Sequence, residues 1–299
     1  MTQTTRTLDG IATSEGTFAI VAMDQRNTLK RMYGAVGAPE PSEQELVDIK
    51  ADTISGIGDL ASAFLLDPTY GIPALEQVER RPGVLLAAEP ASRDTWNGEP
   101  RATYDPSQNA QWVVDQGADA LKFFVQMRVT RPQPAGTPDL AAEWIELNRR
   151  VVDDCRATGV PSVMENLIYA VPGEEPLTPE QRADEIIEAA RLLAEAKPDL
   201  LKLEYPGSPE ACRRLADAID VPWAVLSAGV AFDEFTEVLR VACDEGGASG
   251  FIAGRAIWRE TVGMPRADRR AYLADEGRRR LETCVSAIAG RARPWNERS

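Results

Sequence analysis

The sequence predicts an α/β fold of the (β/α)8, or TIM-barrel, class in a single domain. Short apolar runs rich in Val, Ile, Leu and Phe alternate with longer amphipathic stretches along almost the whole chain, which is the pattern of strands followed by helices. The runs are nearly continuously apolar, as parallel strands are when both of their faces are covered. Eight such units in 299 residues fit the size of one closed barrel. A doubly wound open sheet is the structural alternative.

The eight predicted strands follow one another along the chain with helical segments between them. They cover residues 18–25, 61–68, 84–90, 120–126, 161–167, 200–206, 223–229 and 250–258. Helical patterns are clearest at residues 139–157, 179–196, 209–218 and 233–244. Pro or Asp stands near several helix starts and Gly follows several ends. No linker or repeat breaks the pattern, so we expect one domain over 1–299, with a core at about 17–290 and short extensions at both ends.

The lengths of the loops indicate which end of the barrel is functional. Segments after strands are long and rich in turn residues, as at 91–107, 128–138 and 170–179. Segments before strands are short, as at 158–160 and 197–199. Because barrel active sites form at the carboxyl ends of the strands, we expect the site among the long loops.

Composition narrows the chemistry before any motif is considered. The chain has no histidine and a formal net charge of −14. A His-dependent triad and a His-ligated zinc site are excluded, and the acidic balance disfavours nucleic acid and anionic membrane as partners. The four cysteines are scattered, and the apolar run at 18–23 is too short for a signal or membrane segment. We therefore expect a cytoplasmic protein with reduced thiols, no metal and no cofactor.

Charged side chains occur inside strands, where apolar residues are expected. Side chains alternate between the two faces of a strand, so Lys202 and Glu204 share the face opposite to the neighbouring leucines. The leucines suit the helices, and Lys202 should point into the barrel. The same reasoning turns Lys122 inward and places Glu165 at the end of the strand between them. An ion pair that only fills the barrel is the alternative, although burying unneeded charge is costly.

An inward lysine suits carbonyl chemistry. The chain has only five lysines, so two on inward strand positions stand out. Desolvation and a neighbouring ammonium both favour the neutral amine. A neutral amine attacks carbonyls, and the resulting iminium withdraws electrons from an adjacent C–C bond. The reaction also needs a proton carrier, and without histidine Glu165 or Glu204 must supply it.

Small residues and one arginine mark the last two predicted strands. Ser227, Ala228 and Gly229 end the seventh strand, and their backbone N–H groups can approach an anion. Gly254 and Arg255 lie on the eighth. Because the loops after strands seven and eight form the recurrent phosphate site of such barrels, the sequence predicts an anion site there.

Four of these segments, taken in order, resemble a known family. They are Ala22-Met23-Asp24-Gln25-Arg26, Leu201-Lys202-Leu203-Glu204, Leu226-Ser227-Ala228-Gly229-Val230 and Gly254-Arg255-Ala256-Ile257-Trp258. Over about residues 17–265 the chain is similar to the class I tagatose 1,6-bisphosphate aldolases and the related sulfofructose-phosphate aldolases. The resemblance implies metal-independent cleavage of a ketose phosphate to dihydroxyacetone phosphate and a three-carbon aldehyde.

The resemblance also implies roles for individual residues. Lys202 would form the Schiff base, and Glu165 would transfer the proton. Asp24, Gln25 and Lys122 would contact substrate. The phosphate of the dihydroxyacetone half would be held by Ser227, Gly229, Gly254 and Arg255. Ala228 and Glu204 complete the predicted substrate-binding set.

Several alternatives remain open at the level of sequence. The far end of the substrate would carry a phosphate or a sulfonate, because the segment at Asp24 is closer to the tagatose enzymes and that at Gly250 to the sulfosugar enzymes. A phosphosugar isomerase or epimerase could use Glu165 as its base without a covalent step. A non-catalytic sugar-phosphate-sensing barrel could keep the anion site and pair Lys202 with Glu204. In every case the expected partner is a small sugar phosphate or sulfosugar phosphate, and the chain could form a homo-oligomer.

Overall fold

Eight parallel strands form a closed barrel in the structure, a computed structural model that describes residues 6–297. The predicted (β/α)8 class is therefore confirmed, and the open sheet is excluded. In chain order the strands are β1 (Phe18–Met23), β2 (Ala63–Leu66), β3 (Gly83–Ala87), β4 (Thr95–Trp96), β5 (Glu99–Pro100), β6 (Ala120–Val125), β7 (Ser162–Asn166), β8 (Leu200–Leu203), β9 (Trp223–Val225) and β10 (Gly250–Ala253). Strands β4 and β5 form a separate hairpin, and the others follow the order β1-β2-β3-β6-β7-β8-β9-β10 around the barrel.

The barrel closes between β1 and β10, where Phe18 aligns with Gly250. Gly250 has a φ of +130°, and a Cβ atom at this position would lie 2.1 Å from Phe18 O. Glycine alone permits both the conformation and the approach. Closure of the barrel therefore depends on a residue without a side chain.

The helices surround the barrel. In chain order they are α1 (Asn27–Ala35), α2 (Glu43–Ile57), α3 (Gly71–Leu75), α4 (Ala110–Asp115), α5 (Leu140–Thr158), α6 (Pro179–Ala194), α7 (Pro209–Ala218), α8 (Phe232–Gly246), α9 (Arg255–Trp258), α10 (Arg266–Tyr272) and α11 (Arg278–Ile288). Five of them, α2 and α4 to α7, begin at a residue whose side chain caps the helix. The four helices predicted most clearly appear as α5 to α8. Thr178 and Gln181 form a capping box at the start of α6, and Gly159 ends α5 with a φ of +74°.

Two local predictions differ from the structure. The eighth predicted strand ends at Ala253, and Arg255 begins helix α9 instead of lying on a strand. The reason is a close approach at Gly254, where a Cβ atom would lie 1.9 Å from Ala22 O and a ψ of −68° turns the chain out of the sheet. The segment 91–107, predicted as a loop, contains the hairpin of β4 and β5.

The barrel interior is apolar over most of its depth. Inward residues such as Ile20, Val163 and Leu200 form one cluster, whereas Leu201 and Leu203 face the helices in a second cluster. Alternation along each strand produces this division. Near the carboxyl ends of the strands the inward positions become charged, and the candidate site begins there.

Segments close to both ends of the chain close the amino-terminal side of the barrel, here called the barrel floor. Leu8 and Ile11 are buried in the interior cluster, and Trp295 packs against it. The backbone N–H of Trp295 donates to Gly16 O at 2.9 Å. The described residues thus leave the barrel open at the end where the long loops lie.

The predictions of reduced thiols and of no membrane segment can be compared with the structure. All four cysteines are buried and unlinked. Burial raises the pKa of each thiol, so these groups stay protonated and unreactive at neutral pH. Between residues 6 and 297, no helix combines the length and the apolar character needed to cross a membrane.

Candidate active site

A cavity of about 720 Å³ opens at the carboxyl ends of the strands, the end that the loop lengths predict. Its lining includes most of the residues predicted from sequence. These are Asp24, Gln25, Lys122, Glu165, Lys202, Ser227, Ala228, Gly254 and Arg255. Glu204 and Gly229 lie outside this lining. The structure therefore brings both predicted lysines and the predicted anion site to one cavity.

Two lysines and three carboxylates form a connected group at the base of the cavity, here called the charged cluster (Asp24, Glu89, Lys122, Glu165 and Lys202). Lys122 Nζ lies 2.8 Å from Glu89 Oε1, 2.8 Å from Glu165 Oε2 and 2.9 Å from Asp24 Oδ2. The other oxygen of Glu165, Oε1, lies 2.8 Å from Lys202 Nζ. Glu165 bridges the two lysines. Within the described residues Lys122 thus has three carboxylate partners and Lys202 has one.

Strand register brings these groups together. Glu165 and Lys202 each stand two positions beyond an inward apolar residue, Val163 and Leu200 respectively. Strands β7 and β8 align Glu165 with Lys202, so their side chains are neighbours on the same face. Lys122 reaches the group from β6, the next strand around the barrel. The inward orientation that alternation predicts for Lys202 and Lys122 is the one observed, and Glu165 lies near the end of β7, the strand between them.

Lys122 is held as a cation by its surroundings. Burial alone would lower the pKa of its ammonium, but the negative charges of Asp24, Glu165 and Glu89 outweigh burial and raise that pKa above its usual range. Lys122 therefore stays protonated at physiological pH. A permanently protonated amine cannot attack a carbonyl, so Lys122 is suited to orienting carboxylates and substrate oxygens.

Two carboxylates of the charged cluster remain ionised despite their burial. Burial would raise the pKa values of Asp24 and Glu165, but the charges of Lys122 and Lys202 hold both below their ordinary range. Glu165 is therefore a proton acceptor within 2.8 Å of the Lys202 amine, a distance suited to proton transfer. In the part of the chain that the structure describes, no group of carboxylates and cysteines is arranged to hold a metal ion.

The predicted anion site lies beyond the ends of β9 and β10. Ser227, Ala228, Gly254 and Arg255 line the cavity there. The chain turns sharply after β9, with φ values of +47° at Ala228 and +86° at Gly229. Gly229 lies against the guanidinium of Arg255, because a Cβ atom at this glycine would be 3.3 Å from Arg255 Nη1. Gly229 thus makes room for Arg255.

Glu204 does not join the charged cluster. Strand β8 ends at Leu203, so the alternation that predicts an inward side chain no longer applies at Glu204. Its carboxylate accepts a hydrogen bond from Ile168 N at 2.8 Å and pairs with Arg182. Burial raises the pKa of this carboxyl group despite both contacts. The pairing of Lys202 with Glu204, on which the non-catalytic alternative depends, is replaced by a pairing of Lys202 with Glu165.

Glu89 is a member of the charged cluster that the sequence reasoning missed. It contacts Lys122 through Oε1, while its Oε2 is buried and has no hydrogen-bond partner among the described residues. Glu89 belongs to the cavity lining. A signal was available, because Glu89 falls within the predicted strand 84–90 and is in phase with the inward residues Leu85 and Ala87, although β3 itself ends at Ala87.

Four arginines in the cavity lining have no carboxylate within 4.0 Å in residues 6–297. They are Arg26, Arg31, Arg93 and Arg255. Arg93 stacks on Phe124 at 4.1 Å and donates to Gln126, and Arg26 donates to Glu89 O at 2.9 Å. The sequence reasoning singled out only Arg255. A cavity that holds several uncompensated guanidinium groups is suited to a ligand with more than one negative charge.

The hairpin of β4 and β5 is fixed over one side of the cavity. Glu99 on β5 receives two hydrogen bonds from Arg131, both at 2.8 Å, and a third from Tyr169 Oη at 2.8 Å. Burial, together with Glu99, raises the pKa of Tyr169, so its hydroxyl remains a donor. The segment that carries Arg93 is thus tied to the loops after β6 and β7.

Comparisons with known proteins find aldolases that are similar to this chain. A model of the DeoC/LacD family of aldolases matches residues 18–260. Tagatose 1,6-diphosphate aldolase 2 of Streptococcus pyogenes serotype M3 is 27% identical over 314 residues, which cover 95% of this chain and 94% of that protein. Tagatose 1,6-diphosphate aldolase of Lactococcus lactis subsp. lactis is 27% identical over 327 residues, which cover 99% and 98%.

Solved structures share the fold at lower identity. An archaeal fructose 1,6-bisphosphate aldolase superimposes with a TM-score of 0.64 at 16% identity, covering 95% of this chain and 98% of that chain. Fructose-bisphosphate aldolase from Plasmodium falciparum superimposes with a TM-score of 0.68 at 15% identity, covering 95% and 93%. At such identities the likeness is one of fold.

Proposed function

The chain belongs to the DeoC/LacD family of aldolases and is a carbon–carbon lyase, and from this premise we propose that it is a class I enzyme that cleaves a ketose phosphate through a Schiff base on Lys202. The observation that carries the proposal is the unequal pairing of the two inward lysines. Lys122 is fixed as a cation by three carboxylates, whereas Lys202 faces only Glu165. Transfer of one proton from Lys202 to Glu165 yields the neutral amine that the reaction needs.

The covalent steps follow from this pairing. The neutral amine of Lys202 attacks the C2 carbonyl of the ketose, and the hydroxyl group of the carbinolamine leaves as water with the proton that Glu165 had taken from Lys202, giving an iminium ion. Glu165, again ionised, takes the proton of the C4 hydroxyl while the C3–C4 bond breaks. The bonding electrons pass to the iminium, forming an enamine, and the aldehyde leaves. Protonation of the enamine at C3 restores the iminium, and addition of water releases dihydroxyacetone phosphate and the free amine.

The rest of the charged cluster keeps Glu165 in place for both of its tasks. Lys122 holds one oxygen of Glu165 at 2.8 Å, which leaves the other oxygen directed at Lys202. Asp24 and Glu89 in turn fix Lys122. Preorganised groups of this kind do not have to reorganise when charge moves in the transition state.

The arginines support a substrate with an anion at each end. Arg255 follows β10, and Arg93 follows β3, which lies on the opposite side of the barrel from β9 and β10. Arg255, with the backbone at Ser227, Ala228 and Gly254, would bind the phosphate of the dihydroxyacetone half. Arg93 would bind the far anion. The names of the curated relatives favour tagatose 1,6-bisphosphate as the substrate type; fructose 1,6-bisphosphate and 6-sulfofructose 1-phosphate have the same two-anion form.

Trapping the covalent intermediate tests this function. Borohydride reduction in the presence of dihydroxyacetone phosphate should leave a stable adduct on a peptide that contains Lys202. Lys202→Met should abolish both the adduct and the cleavage, while Lys122→Met, a matched loss of the other inward lysine, should leave an adduct on Lys202. An adduct on Lys122, or turnover by Lys202→Met, would contradict the mechanism. An isomerised product formed without borohydride sensitivity would identify an isomerase instead.

The choice of substrate has its own assay. Cleavage of tagatose 1,6-bisphosphate, fructose 1,6-bisphosphate and 6-sulfofructose 1-phosphate can be compared by coupling the release of dihydroxyacetone phosphate to its enzymatic reduction. We expect the bisphosphates to give the higher kcat/KM, and activity should survive EDTA. A higher kcat/KM for the sulfonate would reassign the far end of the substrate while leaving the Schiff-base mechanism intact.

A further inference from the structure

Lys50 is a fully buried lysine that lies outside the cavity. It belongs to helix α2, and its side chain has no exposed surface. A buried ammonium is costly unless it is paired and hydrogen-bonded. Because Lys50 does not line the cavity, contact with substrate does not account for its charge.

Three oxygen atoms surround the ammonium of Lys50. Its Nζ donates to Met23 O and, at 3.1 Å, to Gln25 O, and it lies 2.8 Å from Asp67 Oδ1. Asp67 is equally buried, and its Oδ2 accepts two backbone N–H groups of the loop after β2, at 3.0 and 2.9 Å. Two backbone carbonyl groups thus accept hydrogen bonds from the ammonium, and Asp67 balances its charge.

The two carbonyl groups stand on either side of Asp24. Met23 is the last residue of β1, and Gln25 is the second residue beyond it. Between them Asp24 turns its carboxylate into the barrel, 2.9 Å from Lys122 Nζ. Lys50 thus holds the main chain from the helix side at the point where Asp24 enters the charged cluster. Asp67 ties the same point to the end of β2.

The positive charge of Lys50 also stabilises the ionised form of Asp24. Burial would raise the pKa of Asp24, and Lys122 and Lys202 oppose this, with a smaller lowering contribution from Lys50. The ammonium behind the barrel wall therefore helps to keep Asp24 ionised, and an ionised Asp24 is what holds Lys122 in position.

We propose that Lys50 is a positioning residue of the aldol reaction, acting from behind the barrel wall through Asp24 on Lys122 and Glu165. The inference rests on the proposed function, because it assigns Lys50 to that reaction. A displacement of about 1 Å in a catalytic constellation can lower a rate about 100-fold. Loss of Lys50 should therefore be visible in turnover.

A double-mutant cycle with Asp24 tests the proposal. Lys50→Met combined with Asp67→Asn removes both charges together, so neither remains unpaired in the core. The folded variant should lose about 10- to 100-fold in kcat, with KM changed by less than about 3-fold. In an Asp24→Asn background the same pair of changes should cost less than about 3-fold, because the effect passes through Asp24. An equal loss in both backgrounds overturns the proposal.

A matched control lies on the same helix. Asp52 on α2 forms a buried ion pair with Arg269 at 2.8 Å, away from β1. Asp52→Asn with Arg269→Met should lower the melting temperature but leave kcat within about 2-fold of the starting protein. The reason is that this pair shares no contact with the charged cluster, and changes at sites without shared partners are usually independent. A comparable loss of kcat in this control would show that general instability explains the Lys50 result, and would refute the proposal.

A single substitution keeps the test decisive if the paired variant does not fold. Lys50→Met alone removes the two carbonyl contacts, while Asp67 keeps its two backbone N–H donors, and the loss of kcat should also disappear in the Asp24→Asn background. The starting protein is examined first for the borohydride adduct on Lys202. Absence of that adduct refutes the proposed function and the role of Lys50 with it, whereas an adduct together with unchanged kcat in Lys50→Met refutes the role of Lys50 alone.

Discussion

Replacing Glu165 by glutamine tests the charged cluster at its centre. The carboxylate of Glu165 contacts Lys122 through one oxygen and Lys202 through the other, each at 2.8 Å. Glutamine has nearly the same shape, but it cannot take up a proton and it offers one acceptor instead of two. Its amide NH2 group must therefore face one of the two ammonium groups.

The expected loss follows from the two tasks of Glu165. Removing a positioned proton carrier lowers a rate by about 100- to 10,000-fold, which corresponds to about 3–5 kcal/mol of transition-state stabilisation. Because Glu165 lies in the cluster and not beside the arginines that would bind the anions, KM should change by less than about 3-fold. The borohydride adduct on Lys202 should still form, although more slowly.

Coupled cleavage kinetics and peptide mapping of the adduct provide the assay. Glu204→Gln is the matched control, because Glu204 is a buried carboxylate one residue beyond the next strand, β8, and contacts Arg182 and Ile168 N outside the cavity lining. It should lower the melting temperature and keep kcat within about 3-fold. If Glu165→Gln retains more than about a tenth of the original kcat, Glu165 is not the proton carrier and the reasoning fails.

Three further predictions concern the far anion, the turn at the end of β10 and acid stability. Arg93→Met should raise KM for a ketose bisphosphate about 10-fold or more and leave KM for a ketose 1-phosphate nearly unchanged; equal increases for both would contradict the assignment of Arg93. Gly254→Ala should destabilise the fold or displace the anion site, because its Cβ atom would meet Ala22 O at 1.9 Å, and a variant with unaltered melting temperature and KM would refute this. Asp24 and Glu165 have folded-state pKa values below their ordinary values of 3.8 and 4.5, so their contribution to the free energy of unfolding is complete above about pH 4.5 and is lost as the pH falls through the lowered values. Urea unfolding at a series of pH values should show stability decreasing on acidification, and the decrease should be less steep in Glu165→Gln.

The strands explain why so much of the site can be predicted from the sequence. A period of two residues is imposed by backbone geometry, so one charged residue among leucines is enough to orient Lys202. The prediction holds as long as the strand lasts. The predicted inward orientation fails at Glu204, which lies one residue beyond β8. At Arg255 the predicted strand is wrong, because the chain has already entered α9.

Loop residues are less accessible to such reasoning, because contacts between distant segments decide where they lie. Arg93 precedes the hairpin of β4 and β5 and lies at the cavity because that hairpin is held in place. Glu99 of the hairpin binds Arg131 and Tyr169, and these two residues belong to two other loops. No local pattern around residue 93 contains that information. Lys50 is a similar case, because a helix pattern alone gives no reason for a lysine on the face that meets the barrel.

The closed floor of the barrel has a kinetic consequence. Leu8, Ile11 and Trp295 block one end, so within the described chain the substrate and both products share a single opening. In the proposed mechanism the aldehyde carries no bond to the protein after cleavage, while the dihydroxyacetone half remains attached to Lys202. The aldehyde must then leave first, and in the direction of synthesis dihydroxyacetone phosphate must bind first. Steady-state product-inhibition patterns should accordingly be those of an ordered mechanism, because the covalent bond to Lys202 fixes the order and the closed floor leaves both products the same exit.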